Sequence, residues 1–196
     1  ASQIMANLPY VKGVRIGIKL PDTVNIMIEE ESVVYAIKSS DGQWWMMDSD
    51  GRVVEQANNA KAATATQLLG VTLEAPAVNQ KGIATEMTPS ETNELGELIP
   101  VTTTGAQRLT AALQILKALE NNDIVGEAAS VDVTSTEDII LWYGTRYQVN
   151  LGDTSRLDYK VDCMNDAILQ MSDYQSGVLD ISFTIWPNQV GYTPFA

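Results

Sequence analysis

Residues 8–30, LPYVKGVRIGIKLPDTVNIMIEE, carry the pattern that most constrains this chain. Val14, Ile16 and Ile18 alternate with Gly13, Arg15, Gly17 and Lys19, and beyond Pro21-Asp22 the residues Val24, Ile26 and Ile28 alternate with Asn25, Met27 and Glu29. A period of two sends successive side chains to opposite faces, so each run reads as a half-buried strand and the Pro-Asp step as the turn between them. An antiparallel hairpin with one apolar face follows.

The hairpin signals continue. Residues 33–37, 44–47 and 51–55 read as three more strands joined at Asp41-Gly42 and Asp50-Gly51, which extends the pattern to a five-strand meander from residue 13. A polar stretch, 56–67, leads to LLGVTLEAP, a short strand or turn ending at Pro76. Residues 77–105, with Pro89, Pro100 and many Thr and Glu, read as a long surface loop or partly disordered insertion.

From Gly105 the period changes. Leu109, Ala112, Leu113, Leu116 and Leu119 recur at three- and four-residue steps and form one apolar helix face, closed by Asn121 and Asn122. Strands are expected over 128–133, 138–143 and 146–151, the last two turning at Gly144-Thr145. A second helix starts from Asp153 or Thr154 as N-cap and carries Leu157, Val161, Met164, Ile168 and Met171 on one face. A strand over 178–185, a turn at Pro187-Asn188 and a short return over 190–192 close the chain. The order of elements predicts an α+β fold, a mostly antiparallel sheet with two main helices packed on it, preceded by the hairpin.

At 196 residues and 45% apolar content, the chain can bury roughly 70% of its unfolded surface without disulfide staples. Its 25 acidic against 12 basic residues, a net charge of −13, argue against nucleic acid and anionic membrane surfaces as partners. With no histidine, Ser-His and Cys-His catalysis and most zinc chemistry are removed. Cys163 alone cannot form an internal disulfide and leaves the redox compartment open. No apolar run reaches the ~18 residues of a membrane span and the first residues do not form a signal peptide, so the chain is expected to be soluble or anchored by a segment outside this sequence.

Few constellations favour catalysis. Asp48-Ser49-Asp50-Gly51 has the start of a calcium loop, but Val53 and Val54 stand where further oxygen ligands are needed, so it reads as a hairpin turn. Glu29-Glu30-Glu31 reads as a solvated strand edge. Asp123, Glu127, Asp132, Glu137 and Asp138 lie near turns without a spacing that singles out a pair. Cys163 reads as a small buried hydrophobe, and of the adjacent Trp44 and Trp45 one ring has to point away from the core. At the C-terminal end, Phe183, Ile185 and Tyr192 flank Trp186-Pro187-Asn188, and a last strand followed by Pro194 leaves one sheet edge with unpaired backbone groups. No cofactor or metal is implied.

The order of short motifs resembles the extracytoplasmic part of the bacterial cell-division protein family FtsQ/DivIB. A helix end at Leu-Pro-x-Val, a basic strand, Pro-Asp-Thr and a strand closing on acids are similar to the second half of that family's POTRA domain. Asp48-Ser49-Asp50-Gly51, Leu151-Gly152, Lys160, Val178 to Ser182, and Val190, Tyr192 and Pro194 are similar to motifs of its β domain, in order. The resemblance implies a partial POTRA-like domain over 1–32, whose first strand and helix would precede Ala1, and a β domain over 33–196 with a long insertion at about 77–105. It implies a non-enzymatic scaffold at the division septum, held in the cell membrane by an anchor absent from this chain. Its partners would be coiled-coil division proteins of the FtsB/DivIC and FtsL type, contacted by Trp186, Asn188 and Tyr192, with Val190 and Gly191 shaping the return strand. The competing readings are a carboxylate-dependent cell-wall glycan hydrolase and a free secreted POTRA-like adaptor.

Overall fold

The structure, a computed structural model, describes residue 8 and residues 10–30, 34–86, 103–185 and 187–195. Strands β1 (Val11–Lys19) and β2 (Thr23–Glu30) form a two-stranded antiparallel sheet of their own, turning at residues 20–22. Val14 faces Ile28, Ile16 faces Ile26 and Ile18 faces Val24 across it, as the alternation requires. The apolar face is uncovered among the described residues, with Ile18 and Leu20 the most exposed. Glu29 and Glu30 end β2, whereas Glu31 lies outside the described residues.

The remaining strands build one nine-stranded sheet: β3 (Tyr35–Ser39), β4 (Trp44–Met47), β5 (Val53–Ala57), β6 (Gln67–Leu73), β7 (Ala128–Asp132), β8 (Ile139–Tyr143), β9 (Tyr147–Gly152), β10 (Gly177–Asp180) and β11 (Gly191–Pro194). Their order is β11-β10-β9-β8-β7-β6-β3-β4-β5. Five junctions are antiparallel and three parallel, the latter being β3/β6, β6/β7 and β9/β10. The fold is α+β, but the single five-strand meander is not formed, because the hairpin and the β3-β4-β5 meander belong to different sheets. LLGVTLEAP, read as a short strand or turn, supplies most of the seven-residue β6, an interior strand that joins the β3-β4-β5 meander to the rest of the sheet.

Among the described residues three α-helices accompany the sheet: α1 (Asn59–Ala62), α2 (Gly105–Asn121) and α3 (Leu157–Leu169). The short α1 lies inside the polar stretch and is capped by Asn58, whose side chain accepts from Lys61 N–H at 2.8 Å. Helix α2 starts with a capping box: Gln107 N–H donates to Thr104 Oγ1 at 3.2 Å and Thr104 N–H to Gln107 Oε1 at 2.8 Å. Its buried stripe is Leu109, Ala112, Ile115, Leu116 and Leu119, each leucine or isoleucine contributing about 1.5–3 kcal/mol by burial. Leu113 is only half-buried. Val161, Met164 and Ile168 of α3 join the same core, which also takes Leu141, Val149 and Leu179 from the sheet.

Asp48-Ser49-Asp50-Gly51 is a hairpin turn, with the Asp48 carboxylate accepting from the backbone N–H groups of Asp50 and Arg52 and paired with the Arg52 side chain at 3.0 Å. Both tryptophans of β4 are half-buried: Trp45 packs on the main core, while Trp44 packs on a small second cluster of Ala36, Met46, Val54 and Ala62. Residues 77–86 of the expected loop are ordered rather than loose. Val53 N–H donates to Gln80 O, Gly82 N–H to Gly51 O and Thr85 N–H to Thr72 O, all at 2.8 Å, so this stretch is stitched along β5 and β6. Residues 87–102 lie outside the described residues.

Candidate partner-binding edge

Among the described residues strand β11 ends the sheet and pairs only with β10. In an antiparallel ladder, amides facing the neighbour alternate with amides facing away. Phe195 N–H donates to Ser176 O at 3.1 Å, which fixes the phase: residues 191, 193 and 195 turn toward β10. The outer rim therefore presents Tyr192 N–H and C=O, and Pro194 offers only a carbonyl there.

The two faces of β11 differ. Tyr192 stands opposite Leu179, on the helix side, and its hydroxyl donates to Ser176 O at 3.1 Å. With Val190 it lines a groove of about 410 Å³ whose other wall is α3 and its end, through Cys163, Ala167, Gln170 and Met171. Cys163 is thus a half-buried groove residue rather than a core filler. On the opposite face Phe195 stacks on Trp142, with centroids 6.1 Å apart.

The loop before β11 departs most from expectation. Strand β10 stops at Asp180 rather than running to residue 185, because Ser182 N–H turns back to the Asp180 carboxylate at 3.0 Å and Phe183 takes φ +59°. Asn188, at φ +56°, accepts from Arg156 Nη1 at 2.9 Å, and Arg156 itself has φ +55°. The Arg156 guanidinium lies 4.4 Å from the Tyr159 ring centre and 5.6 Å from that of Phe183. Left-handed backbone costs roughly 1–3 kcal/mol at non-glycine residues, least for Asn, and three such residues meet at this corner.

Arg156 is also the N-cap of α3, displacing the expected Asp153 or Thr154. Asp153 is occupied otherwise. Lys160, only 1% exposed, donates from Nζ to Asp153 Oδ1 and to Asp153 O, both at 2.9 Å. These bonds from Lys160, with help from Ser155, hold the Asp153 carboxyl down at about 2.

Of the five expected contact residues, the structure gathers four: Asn188 in the loop, Val190 in the groove, and Gly191 and Tyr192 on the edge strand. Trp186 lies outside the described residues. Sequence reasoning named Phe183 but missed Arg156 and Tyr159, since no local pattern announces that Arg156 turns left-handed and carries its guanidinium onto the Tyr159 ring. The scattered acids do not converge: Asp132 accepts from Thr134 N–H at 2.8 Å, while Glu137 and Asp138 donate their backbone N–H groups to Ser135 Oγ.

Fold and edge together define an α+β protein with a mixed sheet, the two long helices α2 and α3 packed on one face, and a C-terminal edge strand whose outer side is open among the described residues. Over 65 residues the chain is 35% identical to the cell division protein DivIB of Clostridium acetobutylicum, a stretch covering 33% of this chain and 26% of that relative. That partial match agrees with the resemblance to the FtsQ/DivIB family. It matches no family model. Among the described residues no helix is long and apolar enough to cross a membrane.

Proposed function

We infer that this chain is a non-enzymatic binding module of the division apparatus, which recruits other division proteins at the septum outside the cytoplasm. The observation that carries the reading is the unpaired rim of β11 beside the groove under α3. A partner strand laid along β11 gains main-chain hydrogen bonds from Tyr192, and the groove selects a side chain. That the relative is a cell division protein supports the setting. The family resemblance supports coiled-coil partners of the FtsB/DivIC and FtsL type, a membrane location, and division of the chain near residue 32. Trp186, Asn188, Val190, Gly191 and Tyr192 are the proposed contacts.

Titration of a coiled-coil partner segment into the 196-residue chain by calorimetry tests this. Tyr192→Phe, which loses only the bond to Ser176, should bind nearly as the parent, whereas Tyr192→Ala should bind at least tenfold more weakly. Equal affinity for both variants removes the site. Reproducible turnover of peptidoglycan fragments by the purified chain would overturn the non-enzymatic reading.

A further inference from the structure

Far from that edge, β6 bulges where its pairing with β7 ends. It pairs with β7 up to Leu69, and its register against β3 jumps from Ile37/Leu68 to Lys38/Thr72. The bulge opens a cavity of about 510 Å³ between β6 and the first turns of α2, lined by Lys38, Gly70, Thr85, Glu86, Arg108 and Thr134.

Arg108 is only 9% exposed. Its Nη1 donates to Gly70 O at 3.1 Å, but its Nε has no acceptor, and none of the ion pairs among the described residues engages it. Thr85 Oγ1, buried in the same cavity, also lacks a partner. Lys38, whose ammonium sits 4.9 Å from the Trp44 ring centre, is the second cation on the wall and is likewise outside those ion pairs. Glu86 lines the same cavity but is exposed and forms none of those ion pairs; a buried guanidinium without a bonded counter-charge is strongly unfavourable, and its Nε and Nη donors form a fork that matches a carboxylate. The cavity is much larger than one carboxylate needs, and Leu68 and Val71 give it apolar wall.

We propose that this cavity binds a peptide through a carboxylate, either an acidic side chain or a chain terminus, held by Arg108 Nε and Nη with Thr85 as a further donor, while the apolar wall takes a neighbouring side chain. The site stands five strands from β11, about 24 Å at ordinary strand spacing, so it stands or falls independently of the edge.

The test uses the ¹⁵N-labelled 196-residue chain and the Arg108 Nε–H resonance, assigned by its loss in Arg108→Lys. Three probes are titrated: acetyl-Glu-Leu-amide, acetyl-Gln-Leu with a free carboxyl terminus, and acetyl-Gln-Leu-amide. At least one carboxylate probe should shift the resonance to saturation with at least tenfold higher affinity than the uncharged probe, and the stronger of the two identifies the carboxylate source. Thr85→Val should weaken that binding several-fold, a readout available even where Arg108 variants fold poorly. No saturable shift with either carboxylate probe overturns the proposal. So does an equal response to inorganic phosphate, which would make the cavity a general anion site. A shift of the resonance in peptide-free protein on combining Glu91→Gln, Glu94→Gln and Glu97→Gln overturns it as well, because the chain would then supply its own counter-charge.

Discussion

Arg156 donates to the Asn188 side-chain oxygen at 2.9 Å, and both residues hold left-handed backbone. One residue begins α3 and the other closes the turn into β11, so this bond couples the helix start to the edge strand. Replacing Asn188 with Ala keeps a Cβ in the left-handed region and removes the bond, which should cost about 1–2 kcal/mol in denaturant unfolding. Asn188→Gly loses the same bond but relieves the backbone, so it should be more stable than Asn188→Ala by roughly 0.5–1 kcal/mol. The reverse order would show that the turn is not held in this conformation.

Lys160 and Asp153 make the neighbouring tie respond to acid. The Asp153 carboxyl titrates at about 2 in the folded chain against 3.8 ordinarily. Its folded-state pKa is depressed, so the associated stability is fully present above about pH 4 and is lost as pH falls toward 2. Asp153 is more than half exposed, so water screens the pair and its worth is on the order of 1 kcal/mol rather than the full linkage value. Asp153→Asn should therefore be less stable than the parent at pH 6, with the gap closing by pH 2. Urea midpoints at both pH values measure it, and a constant gap would separate the carboxylate from the acid response.

The helices and hairpins were legible in the sequence because their signals are local. The stripe from Leu109 to Leu119 and the Asp-Gly turns depend only on residues a few positions apart. The parallel pairing of β6 with β3 and β7 could not be read, since nothing in LLGVTLEAP announces that its neighbours come from residues 36–39 and 130–132. The C-terminal edge was legible as a short return over 190–192, which the structure places at Gly191–Pro194, whereas its corner was not: the run 178–185 has strand composition, and only the turn of Ser182 onto Asp180 ends it early. Arg108 is in phase with Ala111, Ala112 and Ile115 on the buried face of its helix, but a charged residue at that position does not register in an apolar pattern.

Tyr10 joins the hairpin to the large sheet. Its hydroxyl donates to Glu55 Oε1 at 2.5 Å, Lys61 Nζ donates to the Tyr10 oxygen at 3.0 Å, and Lys61 also pairs with Glu55. Burial pushes the Glu55 carboxyl up, yet the hydrogen bonds from Lys61 and Tyr10 outweigh it and hold the group below its usual range. Tyr10→Phe removes the donor without changing the ring. Amide exchange across β1 and β2 should accelerate while that of β8 and β9 stays unchanged, and uniform acceleration across both sheets would mean that the bond supports the whole fold instead.

Gly70 is where the fold tolerates least. Its φ of +79° is in the region that disfavours any Cβ, and a Cβ there would lie 2.2 Å from Thr134 N and 2.6 Å from Thr134 Cα. Both contacts are to backbone, so no side-chain rotation relieves them; either β6 or the chain after β7 has to move. Because β6 joins the two halves of the sheet, that movement disturbs β3/β6 and β6/β7 together. Gly70→Ala should lose about 2–4 kcal/mol, well beyond the ordinary Gly-to-Ala difference of roughly 1 kcal/mol. Gly42, also at positive φ, has no atom near its virtual Cβ, so Gly42→Ala bears the backbone term alone and should lose no more than about 1 kcal/mol. Thermal and urea unfolding of the two variants side by side separates steric crowding from backbone strain, and equal losses would refute the close approach of Thr134.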